Sequence, residues 1–112
     1  MVTGERVEVV MESMPDIVCD VDLPRDARST GIPRSWVRDP EVSLAATGVA
    51  CHVATYPAGT VVSGAELSRS WAEGDSPAAV VAELVEAGYL LPDGPNRFRL
   101  EHPARLGPMP TA

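Results

Sequence analysis

Proline and glycine set the scale of everything this chain can build. Eleven of the first and nine of the second are spread through 112 residues, so each helix or strand must be short. That length allows one domain with one modest core and excludes a multidomain enzyme. Hydrophobic residues make up 45% and charged residues 22%, a globular balance, but aromatics are only 4%. The core must therefore be assembled mostly from Val, Leu and Ala.

The formal charge is −7, and all nine basic residues are Arg. Strong non-specific attraction of the whole chain to a polyanion is not expected. No stretch approaches the ~20 apolar residues of a membrane span, and the opening Met1-Val-Thr-Gly-Glu-Arg6 lacks the apolar centre of a signal peptide. A cytoplasmic location without membrane contact is the expectation. Cys19 and Cys51 lie far apart with no CxxC pair, so neither a zinc site nor a disulfide framework is written here. Both are expected as reduced thiols, Cys51 buried as a small apolar side chain.

Composition divides the chain near residues 31 and 102. Residues 1–31 form an acidic arm, with Glu5, Glu8, Glu12, Asp16, Asp20, Asp22 and Asp26 against Arg6, Arg25 and Arg28. In it Val7, Val9 and Met11 alternate with Arg6, Glu8 and Glu12, suggesting one strand interrupted by Val10. The rest of the arm, through Pro15 and Pro24, reads as extended. Two readings stand: a partly disordered leader, or a dimerisation strand that pairs with a second copy of the chain. Residues 102–112 carry Pro103, Pro108 and Pro110, and read as a flexible tail.

Between these, residues 32–101 carry a dense set of local signals. Ser43 can cap a helix over about 44–56, with Leu44, Gly48 and His52 beside Ala45, Val49, Val53 and Tyr56 on its inward rows. Pro57-Ala-Gly59 ends it, and Thr60-Val61-Val62 fits a short strand. Ser63-Gly-Ala-Glu66 reads as a capping box opening a second helix, with Leu67 and Trp71 as its buried side. Glu73-Gly74-Asp75 makes a turn, Ser76 caps and Pro77 begins a third helix, and Val80, Val81, Leu84 and Ala87 form its inward stripe. Gly88 stops it in the left-handed conformation; Tyr89-Leu90-Leu91 and Arg97-Phe98-Arg99-Leu100 then flank Pro92–Asn96 as a hairpin.

Helix, strand stub, helix, turn, helix and hairpin in that order resemble the winged helix. Ile32-Pro-Arg-Ser-Trp-Val-Arg-Asp-Pro-Glu-Val-Ser-Leu-Ala-Ala-Thr-Gly48, together with Glu83-Leu-Val-Glu-Ala-Gly-Tyr-Leu90, is similar to winged-helix proteins of actinobacterial and phage origin, including replication-initiator-like and transcriptional-regulator domains. The likeness covers about residues 32–100. It implies an α+β fold, a three-helix helix-turn-helix core with a C-terminal hairpin wing, and a small DNA-binding regulator, transcriptional or replication-associated, that acts as a homodimer. In such families the third helix enters the major groove and the wing meets the backbone or minor groove.

Carried onto this chain, the reading surface is Ser76, Ala78, Ala79, Ala82, Glu83 and Glu86. Alanine can touch a thymine methyl, Ser76 can donate to a phosphate, and Glu83 can accept from a cytosine amine, but no side chain there offers a bidentate contact of the Arg or Asn kind. Arg69, Arg97 and Arg99, with Arg34 and Arg38 before the first helix, are placed for phosphate contacts. The plainer reading is that Arg97 and Arg99 form the solvated face of the hairpin. A second function follows from the small, uncharged face of the third helix: a degenerate winged helix acting as a protein-protein adaptor without specific DNA binding. Trp36 and Trp71 read as packing, or as exposed anchors for a partner.

No enzyme is expected. Cys51 and His52 are adjacent on a helix and point about 100° apart, so the imidazole cannot serve that thiol as its base. His102 lies in the tail, and neither a glycine-rich phosphate loop nor a metal-loop spacing is present. No cofactor or metal is implied.

Overall fold

The computed structural model describes residues 14–69 and 76–109. Four helices and a four-stranded mixed sheet make up these residues, an α+β arrangement. Strand β1 (Asp16–Cys19) leads into helix α1 (Arg34–Val37) and helix α2 (Leu44–Ala54). Strand β2 (Val61–Val62), helix α3 (Gly64–Arg69), helix α4 (Pro77–Glu86) and strands β3 (Leu90–Pro92) and β4 (Arg97–Leu100) follow, and one 3-10 turn spans Ala104–Leu106.

The sheet order is β2-β1-β4-β3. β1 runs antiparallel to β2, with Ile17 opposite Val62, and parallel to β4, with Ile17 opposite Phe98 and Cys19 opposite Leu100. Parallel neighbours require a long crossover, and here the crossover is the whole helical part of the chain. Side chains alternate across a strand, so Ile17, Cys19, Val62, Leu90 and Leu100 are buried together. They meet Ala46, Val49, Ala50, Val53 and Ala54 of α2, Leu67 of α3 and Val80, Val81 and Leu84 of α4 in one buried cluster.

Two expectations about the ends are corrected. The acidic arm is not an appendage over residues 14–31: Met14, Ile17, Cys19, Val21 and Leu23 belong to the same buried cluster as the helices. β1 has both edges occupied by its own chain, β2 on one side and β4 on the other. Its alternation turns Ile17 and Cys19 inward and leaves Asp16 exposed. The strand read at residues 7–11 lies outside the described residues. The tail, over residues 102–109, is packed: Pro103 is fully buried, and Arg105 reaches Asp39 and the carbonyl of Ala87.

The caps of α2 and α4 and the closure of α4 fall where they were placed. Ser43 accepts from Ala46 N–H at 3.2 Å and Ser76 from Ala79 N–H at 3.2 Å. At the end of α4, Gly88 has φ +92°, Tyr89 N–H donates to Leu84 and Gly88 N–H to Val85. That pair of bonds is a Schellman closure. The Ser63 hydroxyl accepts from Glu66 N–H, but Glu66 does not reach back to complete a box; its carboxylate accepts from Tyr56. α2 is rotated from expectation, with Leu44 86% exposed and Gly48 exposed, because its buried stripe is Ala46, Val49, Ala50 and Val53. Cys19 is the fully buried thiol, and Cys51 is half-buried. Trp36 is buried as packing, while Trp71 and the turn at Glu73–Asp75 lie outside the described residues.

Gly64 marks the closest approach in the core. A Cβ built there would lie 1.9 Å from the Met14 carbonyl oxygen, and Gly64 N–H donates to Asp16 Oδ1 at 2.8 Å. α3 is thus seated on the chain entering β1. Gly64→Ala is expected to cost about 1–3 kcal/mol through the forced backbone shift. Gly48→Ala, in the exposed interior of α2 with nothing within 4 Å of its Cβ position, should stabilise by about 0.5–1 kcal/mol. Urea midpoints moving in opposite directions for the two variants check the packing.

Candidate macromolecule-binding face

α4 turns Val80, Val81 and Leu84 inward and leaves Ser76, Ala78, Ala79, Ala82 and Glu86 exposed. β3 packs against it, and Phe98 of the neighbouring β4 is half-buried. Ala78, Val81, Ala82, Val85, Glu86 and Phe98 line an open groove of about 430 Å³. Its one charged wall is Glu86. Val85, 38% exposed, adds apolar surface.

Glu83 is not available to a base edge. Its carboxylate accepts from Ser43 N–H at 2.7 Å and from the Ser43 hydroxyl at 3.1 Å. The first amides of α2 have no partners within the helix and carry the positive end of its dipole. An acid projecting from α4 toward that end is drawn to it, and the bond ties the two helices together.

The arginines are also largely spoken for. Arg97 lies 3.4 Å from Asp93, and Arg99 lies 2.8 Å from Glu101 and 3.5 Å from both Asp20 and Asp93. The Glu101 carboxylate, more than any other group, raises Arg99 above the usual guanidinium range. The two side chains do share a face, as the alternation implied, and that face is neutralised by its own acids. Arg25 donates to the carbonyls of Thr55 and Tyr56, beyond the C-terminus of α2, where a cation suits the helix dipole. Arg69 is exposed on α3, and Arg34 and Arg38 are exposed around α1.

Two polar clusters escaped the sequence reading. In the first, Glu66 accepts from the Tyr56 hydroxyl and lies 3.0 Å from His52 Nε2. The Tyr56 bond holds the Glu66 carboxyl below its ordinary range, while the same bond raises the phenol. His52 is therefore engaged across to α3. Burial pushes both the Cys51 and the Cys19 thiols up, away from the reactive thiolate.

The second cluster is Asp39, whose side chain is 0% exposed. Arg105 grips both of its oxygens, Tyr89 O–H donates at 2.7 Å and Glu41 N–H at 3.0 Å. The Arg105 hydrogen bonds hold the Asp39 carboxyl at about 2. Burial, with the Asp39 bond, moves Tyr89 well above its usual range. Trp36 packs edge-on against Tyr89 at 5.3 Å. Among the described residues no group of three or more His, Cys, Asp or Glu is placed to hold a metal ion.

No family model matches this chain, and no curated protein or solved structure is significantly similar to it.

Two measurements check these contacts. Glu83→Ala should cost about 1 kcal/mol, the size of a lost N-cap, read as a lowered urea midpoint. The Asp39 carboxyl is held at about 2 in the fold against 3.8 for the ordinary group, so its stabilisation is complete above about pH 5 and is lost as pH falls through 2. That contribution is on the order of 2 kcal/mol. Stability curves of the native chain and Asp39→Asn should lie apart at pH 7 and converge below pH 2.

Proposed function

We propose that this chain is a winged-helix module acting as a protein-protein adaptor, with the outer face of α4 and the β3–β4 hairpin as its recognition surface. The observation that carries the reading is the groove between them, apolar along Ala78, Val81, Ala82, Val85 and Phe98 with Glu86 as its charged wall. Small residues let a partner helix approach closely, and Phe98 and Val85 offer the area that association needs. The acid in the groove and the charge of −7 select a partner with an apolar stripe flanked by Lys or Arg.

A second reading is the DNA-binding regulator that the resemblance implies. One observation favours it: the ion pairs of Arg97 and Arg99 are partly exposed, and exposed pairs are worth only about 0–1 kcal/mol. Phosphates could therefore displace the carboxylates. Contacts of that type position the protein without reading sequence, so binding would be weak, salt-dependent and indifferent to the bases.

Ala82→Arg separates the two. A fluorescent amphipathic Leu/Lys helix and a mixed-sequence duplex, each titrated at low salt, are the probes. On the adaptor reading the peptide binds, and Ala82→Arg abolishes capture by filling the groove with a like charge. On the DNA reading the duplex binds, Arg97→Ala and Arg99→Ala weaken it equally across sequences, and Ala82→Arg strengthens it while steepening the salt slope by about 0.9. Duplex binding at tens of micromolar without peptide binding overturns the adaptor.

A further inference from the structure

The residues after β4 return across α1 and end against the C-terminus of α4, and His102 is their first fixed point. Its ring lies edge to edge with that of Trp36, the two planes 18° apart and the centroids 6.1 Å apart. Trp36 Nε1–H donates to His102 Nδ1 at 2.9 Å, and His102 Nε2 lies 2.9 Å from the Gly107 carbonyl oxygen. An indole nitrogen can only donate and a carbonyl oxygen can only accept. The two contacts together therefore specify one form of the ring: neutral, with its proton on Nε2. A second proton on Nδ1 would set two N–H donors against each other.

We propose that His102 makes residues 102–109 a pH-sensitive clasp, closed while its ring is neutral and released when the ring takes a second proton. Trp36 is 1% exposed, so its N–H has no water to turn to when Nδ1 stops accepting. A buried donor left without a partner is costly, more so than the bond itself is stabilising. The strain falls on a short segment. Gly107 is held through the other ring nitrogen, and between them Arg105 donates to the Ala87 carbonyl at 2.8 Å and pairs with Asp39. Ala87 is the C-cap of α4, so the clasp steadies the end of the helix that forms the groove.

The other ionisable groups on the packed elements do not take over this role. Arg34 and Arg38 flank Trp36 and are exposed. Asp39 is paired with Arg105 and accepts from Tyr89, and Glu101 is occupied by Arg99. The Asp39 carboxyl is held at about 2 by its bonds to Arg105.

The test is NMR of the uniformly 15N-labelled full chain between pH 7.5 and 5.0. At pH 7.5 the imidazole spectrum should show His102 with a bare Nδ1 and a protonated Nε2. At pH 5.0 the exchange protection of the Trp36 indole N–H should have fallen about tenfold, the factor for one lost hydrogen bond, with β1 and β4 amides unchanged. In His102→Asn the carboxamide oxygen stands where Nδ1 was and does not titrate, so the pH dependence at Trp36 should vanish. Trp36→Phe keeps the packing but has no donor, and the amides of residues 102–109 should then lose their pH dependence. A proton on Nδ1 at pH 7.5, a ring still neutral at pH 5.0, or unchanged Trp36 protection beside a doubly protonated ring would each overturn the clasp. The first two outcomes are read on the unaltered chain and do not depend on any variant folding.

Discussion

The parallel pairing of β1 with β4 is the contact on which the rest of the molecule depends. It joins residues about eighty positions apart in the chain, and closing so long a loop carries an entropic cost that local hydrogen bonds alone do not offset. What offsets it is the burial of both strands' inner faces against the helices that the loop contains. Ile17, Cys19 and Leu100 are each fully buried in the cluster that also holds α2 and α4, so sheet and helices form together or not at all. Removing β1 would leave β2 without a neighbour and β4 with an open edge, exposing unpaired backbone groups along both.

That dependence explains which parts of the fold were legible in the residues and which were not. α4 and the hairpin could be read directly because their signals are local: Ser76 and Pro77 open the helix, and Gly88 closes it at φ +92°. β1 could not be read by counting charges. Asp16, Asp20 and Asp22 made the segment look like an arm, yet Ile17, Cys19, Val21 and Leu23 alternate with them at the period of a half-buried strand. The alternation was visible; the partner strand was not. The packed tail was hidden for a related reason. Proline forbids regular structure there, but it does not forbid burial, and Pro103 lies fully buried with its ring against the Gly88 position.

The candidate site was legible as a face and not as a set of charges. Periodicity alone sorted α4 correctly into an inward apolar row and an outward alanine row. Which charges on that surface would be free to meet a partner is decided by neighbours distant in sequence. Glu83 is taken by Ser43, forty residues earlier, and Arg99 by Asp20, which belongs to the segment first read as an arm. Charge patterning along one element says what a helix or strand offers; only the tertiary fold says what it has left.

The electrostatic layout then bears on the choice between partners. The guanidinium of Arg25 meets the carbonyls after α2, that of Arg105 meets Asp39 and the end of α4, and those of Arg97 and Arg99 meet acids around the hairpin. In each case the cation steadies an element boundary, where backbone carbonyls or clustered carboxylates need one. A phosphate backbone would have to draw the hairpin pair away from Asp93, Asp20 and Glu101 and then lie across a helix whose exposed charge is Glu86. An apolar ligand helix asks for none of these exchanges. On the adaptor proposal it would cover Val85 and Phe98, leave the ion pairs standing, and place its own cations against Glu86.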